Sequence, residues 1–447
     1  MTAQRIIHLR INDSDTGQRT PARVRVVGPD GRYLAPLGRL TAFHTAPYRD
    51  VGGNLRLGKK QYAYIGGECE IRVPIGKLSV EVHKGPECVP QRHDVHLGVG
   101  QLAVGLGNGR WCDLRRDGWY AGDGRAHALT PHAALLEAAA EDLAVVNLLA
   151  LEQRPPDAPP SIPNILAFSG QQPALQWPGH CVVVNTLNRH PTQGQVALLN
   201  CHRVVYPLAL EASEGFENWS LGDWCAQCHR KGGLTVWIDS GSSDLNPPVD
   251  LFRGHIDALE VCHLDGSACP TAISKWYQLL TAGLHVPLVG SSGKDSNAVA
   301  LGAVRTYAHL RPNETFSYGA WIEAVRAGRT FITSGPLLQL TVNGQEPGAT
   351  IERGDEPLRL WARARCWDPV ERLEILVNGL GVAQASSAET PATATVEAEV
   401  PSSQARWLAC RCWGRTAEGD WTFAHTSAVY VEVPDGGGRG LDGGGRG

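Results

Sequence analysis

WYAGDGRAHALTPHAALLEAAAEDLAVVNLLA, residues 119–150, decides the fold. Its opening alternates along a strand, so Asp123, Arg125 and His127 project to one side. Thr130 is placed to cap a helix, and Pro131 sits at the first helical position, where its missing N–H costs nothing. PHAALLEAAAEDL supplies good helix formers, and AVVNLLAL follows as a buried strand. The unit is strand, helix, strand. Working outward, HCVVVNTL, LTVWI, IDALEVCHL and HVPLVGSS read as further short apolar strands. Between them lie SLGDWCAQCHRK, capped by Ser220, then SKWYQLLTAG, and after them SYGAWIEAVRAG, capped by Ser317 and closed by Gly328. Repeated β-then-α units predict a mostly parallel sheet or β/α barrel over residues 116–336.

The flanks carry a different period. RIIHLRI, ARVRVV and residues 70–85 alternate apolar and polar side chains, which predicts a small β-sandwich over residues 1–115. Pro74 and Gly76 interrupt the last run, so two strands joined by a turn are expected. After Pro336 the period of two returns. In LRLWARARCW, Leu358, Leu360, Ala362, Ala364 and Cys366 share one face, and Trp361, Arg363, Arg365 and Trp367 share the other. A second sandwich is expected over residues 337–434. The tail, 435–447, repeats DGGGRG and cannot bury a core, so it is expected to be disordered. The fold class is therefore multidomain α/β plus β.

Composition narrows the function. The chain has 447 residues, 43% apolar and 19% charged, which is enough for several cores. Lys+Arg number 41 against 45 Asp+Glu, a formal charge of −4, so no general attraction to nucleic acid or an anionic membrane is expected. No run is long and apolar enough for a bilayer span. MTAQRIIHLRIND lacks the apolar core of a secretory signal, so a cytoplasmic setting is expected. The 12 cysteines follow no disulfide-scaffold spacing and read as buried apolar residues or isolated thiols.

Two local motifs imitate cofactor sites. Cys225-Ala226-Gln227-Cys228-His229 matches the spacing of c-type haem attachment. Leu221, Trp224, Cys225 and Cys228 fall at i, i+3, i+4 and i+7, however, so both thiols belong to the inward face of a helix and haem is disfavoured. A zinc site joining Cys225 and Cys228 to Cys262, His263 or Cys269 would need a second matched pair that the spacing does not offer. Gly290-Ser291-Ser292-Gly293-Lys294-Asp295 imitates a phosphate-binding loop. It has Leu288 where the first glycine belongs and Asp295 where a hydroxyl would hold magnesium. What remains is a Gly/Ser turn with one cation, Lys294, able to hold an anion on backbone N–H groups or to serve as an ordinary loop.

In order and spacing, residues 118–150, 219–237, 289–308, 317–344 and 423–433 resemble segments of the CehA/McbA-type metallohydrolases of the polymerase and histidinol phosphatase (PHP) superfamily. That resemblance implies a β/α barrel with a metal cluster at its mouth, where metal lowers the pKa of a bound water and polarises an ester or phosphoryl oxygen. It also implies where ligands belong. The family opens with Asp-x-His-x-His; here Asp123 and His127 match, but Arg125 replaces the first histidine. Leu187 stands where the family has Glu before Asn-Arg, Gln195 where it has His, Asp239 where it has His, and Gly293 where it has Asp. Glu260, His202 and His190 are the substitutes the sequence offers.

Zinc needs three or four ligands of suitable type, and Arg125 puts a permanent cation among the remaining ones. The favoured expectation is a PHP-type fold without its metal cluster, acting as a binding or scaffold protein. Its pocket would contain Asp123, Arg125, His127, His190, His202, Asp239, Glu260 and Lys294, and its partner would be a small anionic ligand or another protein. In it, Arg125, with Lys294, would either bind an anion or neutralise Asp123 or Asp239. The alternative is an active zinc- or manganese-dependent hydrolase of phosphoesters, carbamates or related esters with a rearranged ligand set.

Overall fold

The period-two segments form sheets, as their patterns require. The computed structural model describes residues 4–49, 51–154, 159–210, 219–238, 252–264, 266 and 269–433. Near the N-terminus, Glu68–Pro74, Gln4–Asp13 and Ala103–Asn108 make one three-stranded sheet. Ala22–Val27, Lys60–Ile65, Gly76–His83 and Gln91–Leu97 belong to a second. Ile7, Leu9, Ile11 and Val104 from the first meet Val24, Val80, Val82 and Leu97 from the second in one core. The break at Pro74 and Gly76 is where the chain passes between the sheets, and Gly76 takes φ +123°, a value side chains resist.

The central strands are buried on both faces. Trp119–Ala126 pairs in parallel with Val145–Ala150, which pairs in parallel with His180–His190. All six residues of Val145–Ala150 are buried, as a parallel strand covered on both sides must be. The predicted caps form. Thr130 accepts from Ala133 N to start helix Pro131–Ala140, and Ser317 accepts from Ala320 N to start Tyr318–Arg326. Ser220 and Asp223 close a reciprocal capping box at the head of Leu221–Arg230.

A closed β/α barrel is not what the ladder forms. His180–His190 turns back on itself into Gly194–Leu199, and both pairings of that strand are antiparallel. A hairpin turn needs no crossover helix, so the β/α alternation breaks there. The ladder runs from Leu288–Gly290 at one edge through Ala258–Val261, Leu234–Ile238, Gly194–Leu199, His180–His190, Val145–Ala150, Trp119–Ala126, Arg305–His309 and Thr330–Thr333. It then continues without a break into the C-terminal strands Trp421–Thr426, Trp407–Arg415, Val370–Val377 and Leu380–Ser387. The sheet is curled nonetheless. Gly290 N donates to Thr306 Oγ1 at 2.7 Å, and Ala126 makes an isolated parallel bridge to Lys294.

The sheet of Leu337–Val342, Leu358–Cys366 and Ala392–Val400 packs its apolar face on these C-terminal strands. Along Leu358–Cys366 the buried positions are those assigned to one face by the alternation. The tail from residue 434 and Asp239 lie outside the described residues. No helix among the described residues is long and apolar enough to cross a membrane.

Candidate functional site

The strand ends that carry the sequence's candidate positions converge on one cleft of about 170 Å³. Arg125 and His127 enter it from the first central strand and its continuation, and Leu187 and Arg189 from the end of His180–His190. Arg189 and Gln195 face each other across the hairpin, so they share its side of the sheet. Gly293 and Asp295 close another wall, and Tyr48 reaches over from the N-terminal region.

Arg125 organises the interior of the cleft. Its Nε donates to Glu260 Oε1 at 2.6 Å and its Nη2 to Glu260 Oε2 at 3.0 Å, a bidentate grip on a carboxylate with no exposed surface. Its Nη1 lies 3.3 Å from His127 Nε2. A guanidinium only donates, so His127 Nε2 must carry the lone pair, and His127 Nδ1–H donates to Leu149 O at 3.2 Å. Burial, with the Arg125 charge beside it, pushes the His127 imidazole down to about 3, so the ring is neutral. Gly293 completes the fit. It takes φ +61°, and a Cβ there would fall 3.2 Å from Arg125 Nη2. The guanidinium thus lies over the position at which the resemblance implies an aspartate.

Asp123 is not the partner of the Arg125 side chain, contrary to one expectation. Its Oδ1 accepts from Arg125 N and Ser292 N, and its Oδ2 from Ser292 Oγ at 2.5 Å and Gly302 N at 2.8 Å. This fully buried carboxylate is saturated by short-range donors, and it fastens two loops to the first strand. Burial moves its pKa above the usual carboxylate range.

Lys294 is also corrected. It has no exposed surface and points away from the cleft, with Nζ donating to Val299 O at 2.6 Å and Ser296 O at 3.2 Å and lying 3.5 Å from Glu137 Oε2. It is a structural cation pinning helix Pro131–Ala140. His190 and His202 are elsewhere. His190 Nδ1 accepts from the backbone N–H of Thr192 and Gln193, holding the hairpin turn, and exposed His202 bonds Lys231 O. Asp239 lies outside the described residues.

The Cys225–Cys228 motif sits on the buried face of its helix. Cys228 Sγ lies 3.3 Å from Cys201 Sγ, while His229 turns outward to Asp257 Oδ2 at 2.9 Å, so the three motif residues do not converge. Among the described residues no group of three or more His, Cys, Asp or Glu side chains is arranged to hold a metal. The donor chemistry in the cleft agrees. Both Glu260 oxygens are taken by Arg125, the His127 lone pair faces Arg125, and both Asp123 oxygens are saturated. Among the described residues these candidate ligands are therefore engaged with one another or with neighbouring protein groups. What the cleft offers is hydrogen-bond donation from two arginines, with the half-buried Asp295 carboxylate in the same wall. Three of the five Arg125 N–H groups are used, which leaves two, and the Arg189 guanidinium is exposed with no ion-pair partner among the described residues. Of the acids in the wall, Glu152 is tied to Arg154 Nε at 2.6 Å.

Sequence reasoning did not assign roles to Arg189, Gln195, Asp295 or Tyr48. Arg189 and Gln195 are neighbours only through the hairpin, which the sequence reading did not find, and Tyr48 carries no local signal.

No protein-family model and no curated protein matches the chain. Among solved structures it is similar to a two-domain protein from Bacteroides vulgatus ATCC 8482 described as containing a predicted PHP-like metal-dependent phosphoesterase. The identity is 11%, the match covers 70% of this chain and 95% of that one, and the TM-score is 0.37. An engineered protein matches at 12% identity over 44% of this chain and 55% of its own, with a TM-score of 0.15. Neither superposition is close enough to carry an argument about this site.

Proposed function

We propose that this chain is a CehA/McbA-type relative within the PHP superfamily that binds a small anion in the Arg125–Arg189 cleft without metal-dependent hydrolysis. The observation that carries the reading is Arg125 itself, held on both oxygens of Glu260 and against the lone pair of His127. A fixed guanidinium engages there the groups that would otherwise serve a cation, and its charge does not come and go with metal supply. Arg189 stands in the same cleft with no ion-pair partner among the described residues, and such an arginine is suited to a carboxylate, sulfate or phosphate oxygen. The cleft volume of about 170 Å³ suits a small headgroup better than an extended substrate.

The test has two arms. Protein purified without added metal and then dialysed should hold less than one equivalent of zinc, manganese or iron by elemental analysis. Calorimetry with inorganic phosphate should show saturable binding that Arg189→Gln weakens at least tenfold. Two stoichiometric metals after dialysis, together with phosphoester turnover, would overturn the reading in favour of a hydrolase.

A further inference from the structure

A second and larger cleft, of about 600 Å³, opens where the N-terminal loops, residues 299–305 and the C-terminal turns meet. Its volume falls within the roughly 300–1,000 Å³ of small-molecule sites. Its walls are mainly apolar, with Pro86, Leu264, Leu301, Trp367 and Trp421 among them. Two contacts tie its N-terminal and C-terminal sides together: the ion pair between Lys60 and Glu418, and the Trp111–Trp367 ring pair at 6.3 Å.

The charges in this lining are unevenly used. Arg23 is taken by Glu141 at 3.0 Å, and Arg305 donates to Gly302 O and Glu141 O. His83, half-buried beside Arg23 and Lys60, is held down to about 3 by desolvation and those charges and is neutral. Of the two arginines in the lining, one is thus ion-paired and the other is tied to carbonyls; the exposed His263 is also in the wall, and Arg415 covers one face of Trp421 at 3.9 Å, which leaves the other face for a ligand ring. Asp368 and Asp420 are the remaining acids, and Asp368 is half-buried with no cationic partner among the described residues. Burial and the neighbouring Glu418 raise its pKa, against one backbone N–H donated by Ala417. The buried Thr422 hydroxyl in the same wall also lacks a protein partner among the described residues. A half-buried carboxylate beside tryptophan rings is the complement of an ammonium on a flat apolar body.

We propose that this cleft is a second binding site that takes an arylalkylamine, with its ammonium on Asp368 and its ring against Trp367 and Trp421. The inference does not rest on the Arg125 cleft. Three indoles of matched shape test it by calorimetry and ligand-observed NMR: tryptamine, neutral tryptophol and anionic indole-3-propionate. Tryptamine should bind the wild-type protein at least tenfold more tightly than the other two. Asp368→Asn should remove that preference, while Arg189→Gln should leave it intact. Equal affinity for the three indoles, no saturable binding, or a tryptamine preference that survives in folded Asp368→Asn protein would overturn the proposal. The charge series on the unmodified chain decides the matter even if the variant fails to fold.

Discussion

Arg125 and Glu260 lie 135 positions apart in the chain and meet in a bidentate pair, at 2.6 Å and 3.0 Å, with Glu260 fully buried and the Arg125 side chain 14% exposed. The pair spans from the first central strand to Ala258–Val261, across the inside of the curl. A planar fork on a planar carboxylate satisfies both oxygens at once, so the charges stay compensated away from water.

Arg125→Ala should therefore be costly. It leaves Glu260 buried with no counter-charge, a loss in the range of about 3–5 kcal/mol for a broken buried pair. Arg125→Lys keeps the charge but loses the fork, and should fall between the two. Urea denaturation of the three proteins checks the order. A wild-type midpoint in Arg125→Ala would show that the pair is not a structural unit.

His127 gives a pH dependence with a definite sign. Its folded-state pKa, about 3, lies below the ordinary value of 6.5. The unfolded chain thus binds this proton first, and the stabilisation from keeping the ring neutral is complete above 6.5 and is lost as pH falls toward 3. His127→Gln should lose less stability than the wild type between pH 7 and pH 4.5. Nitrogen-detected NMR at pH 5 should still find the His127 ring neutral and protonated on Nδ1. A doubly protonated ring at that pH would refute the assignment.

Local chemistry was legible and long-range chemistry was not. Thr130, Ser220 and Ser317 each stand where a short polar side chain caps a helix, and each does so. The Pro74–Gly76 break marked a change of sheet. These features depend on neighbours within a few residues. The partner of Arg125 does not. Adjacency pointed to Asp123, but that carboxylate is closer to the backbone of Ser292 and Gly302, which only the folded loops bring to it. The antiparallel return of Gly194–Leu199 was hidden for a similar reason, since a buried strand reads the same in either direction.

Lys294 separates a structural cation from a binding one. Lys294→Met removes the charge facing Glu137 and two carbonyl contacts inside the core. Glu137 is already raised by burial, so it can take up a proton, and the cost should sit near the lower end of a broken pair, about 3 kcal/mol. Phosphate affinity measured on the folded variant should match the wild type. Normal stability with lost phosphate binding would put Lys294 back in an anion site.

Arg125→His tests how far the cleft is from a metal site. The substitution rebuilds Asp-x-His-x-His at residues 123–127 and frees Glu260 and His127 from the guanidinium. It does not free Asp123, whose oxygens still accept from Ser292 and Gly302, and it leaves Leu187 and Gly293 with no ligating atom. Imidazole also lacks the fork, so Glu260 keeps at most one hydrogen bond from residue 125 where it had two. The variant should be less stable than the wild type, should bind zinc at less than one equivalent after dialysis, and should show no turnover of p-nitrophenyl phosphate or acetate above buffer. Stoichiometric zinc and measurable turnover in this single variant would mean that a working ligand set survives around Arg125, and that one residue alone keeps the metal out.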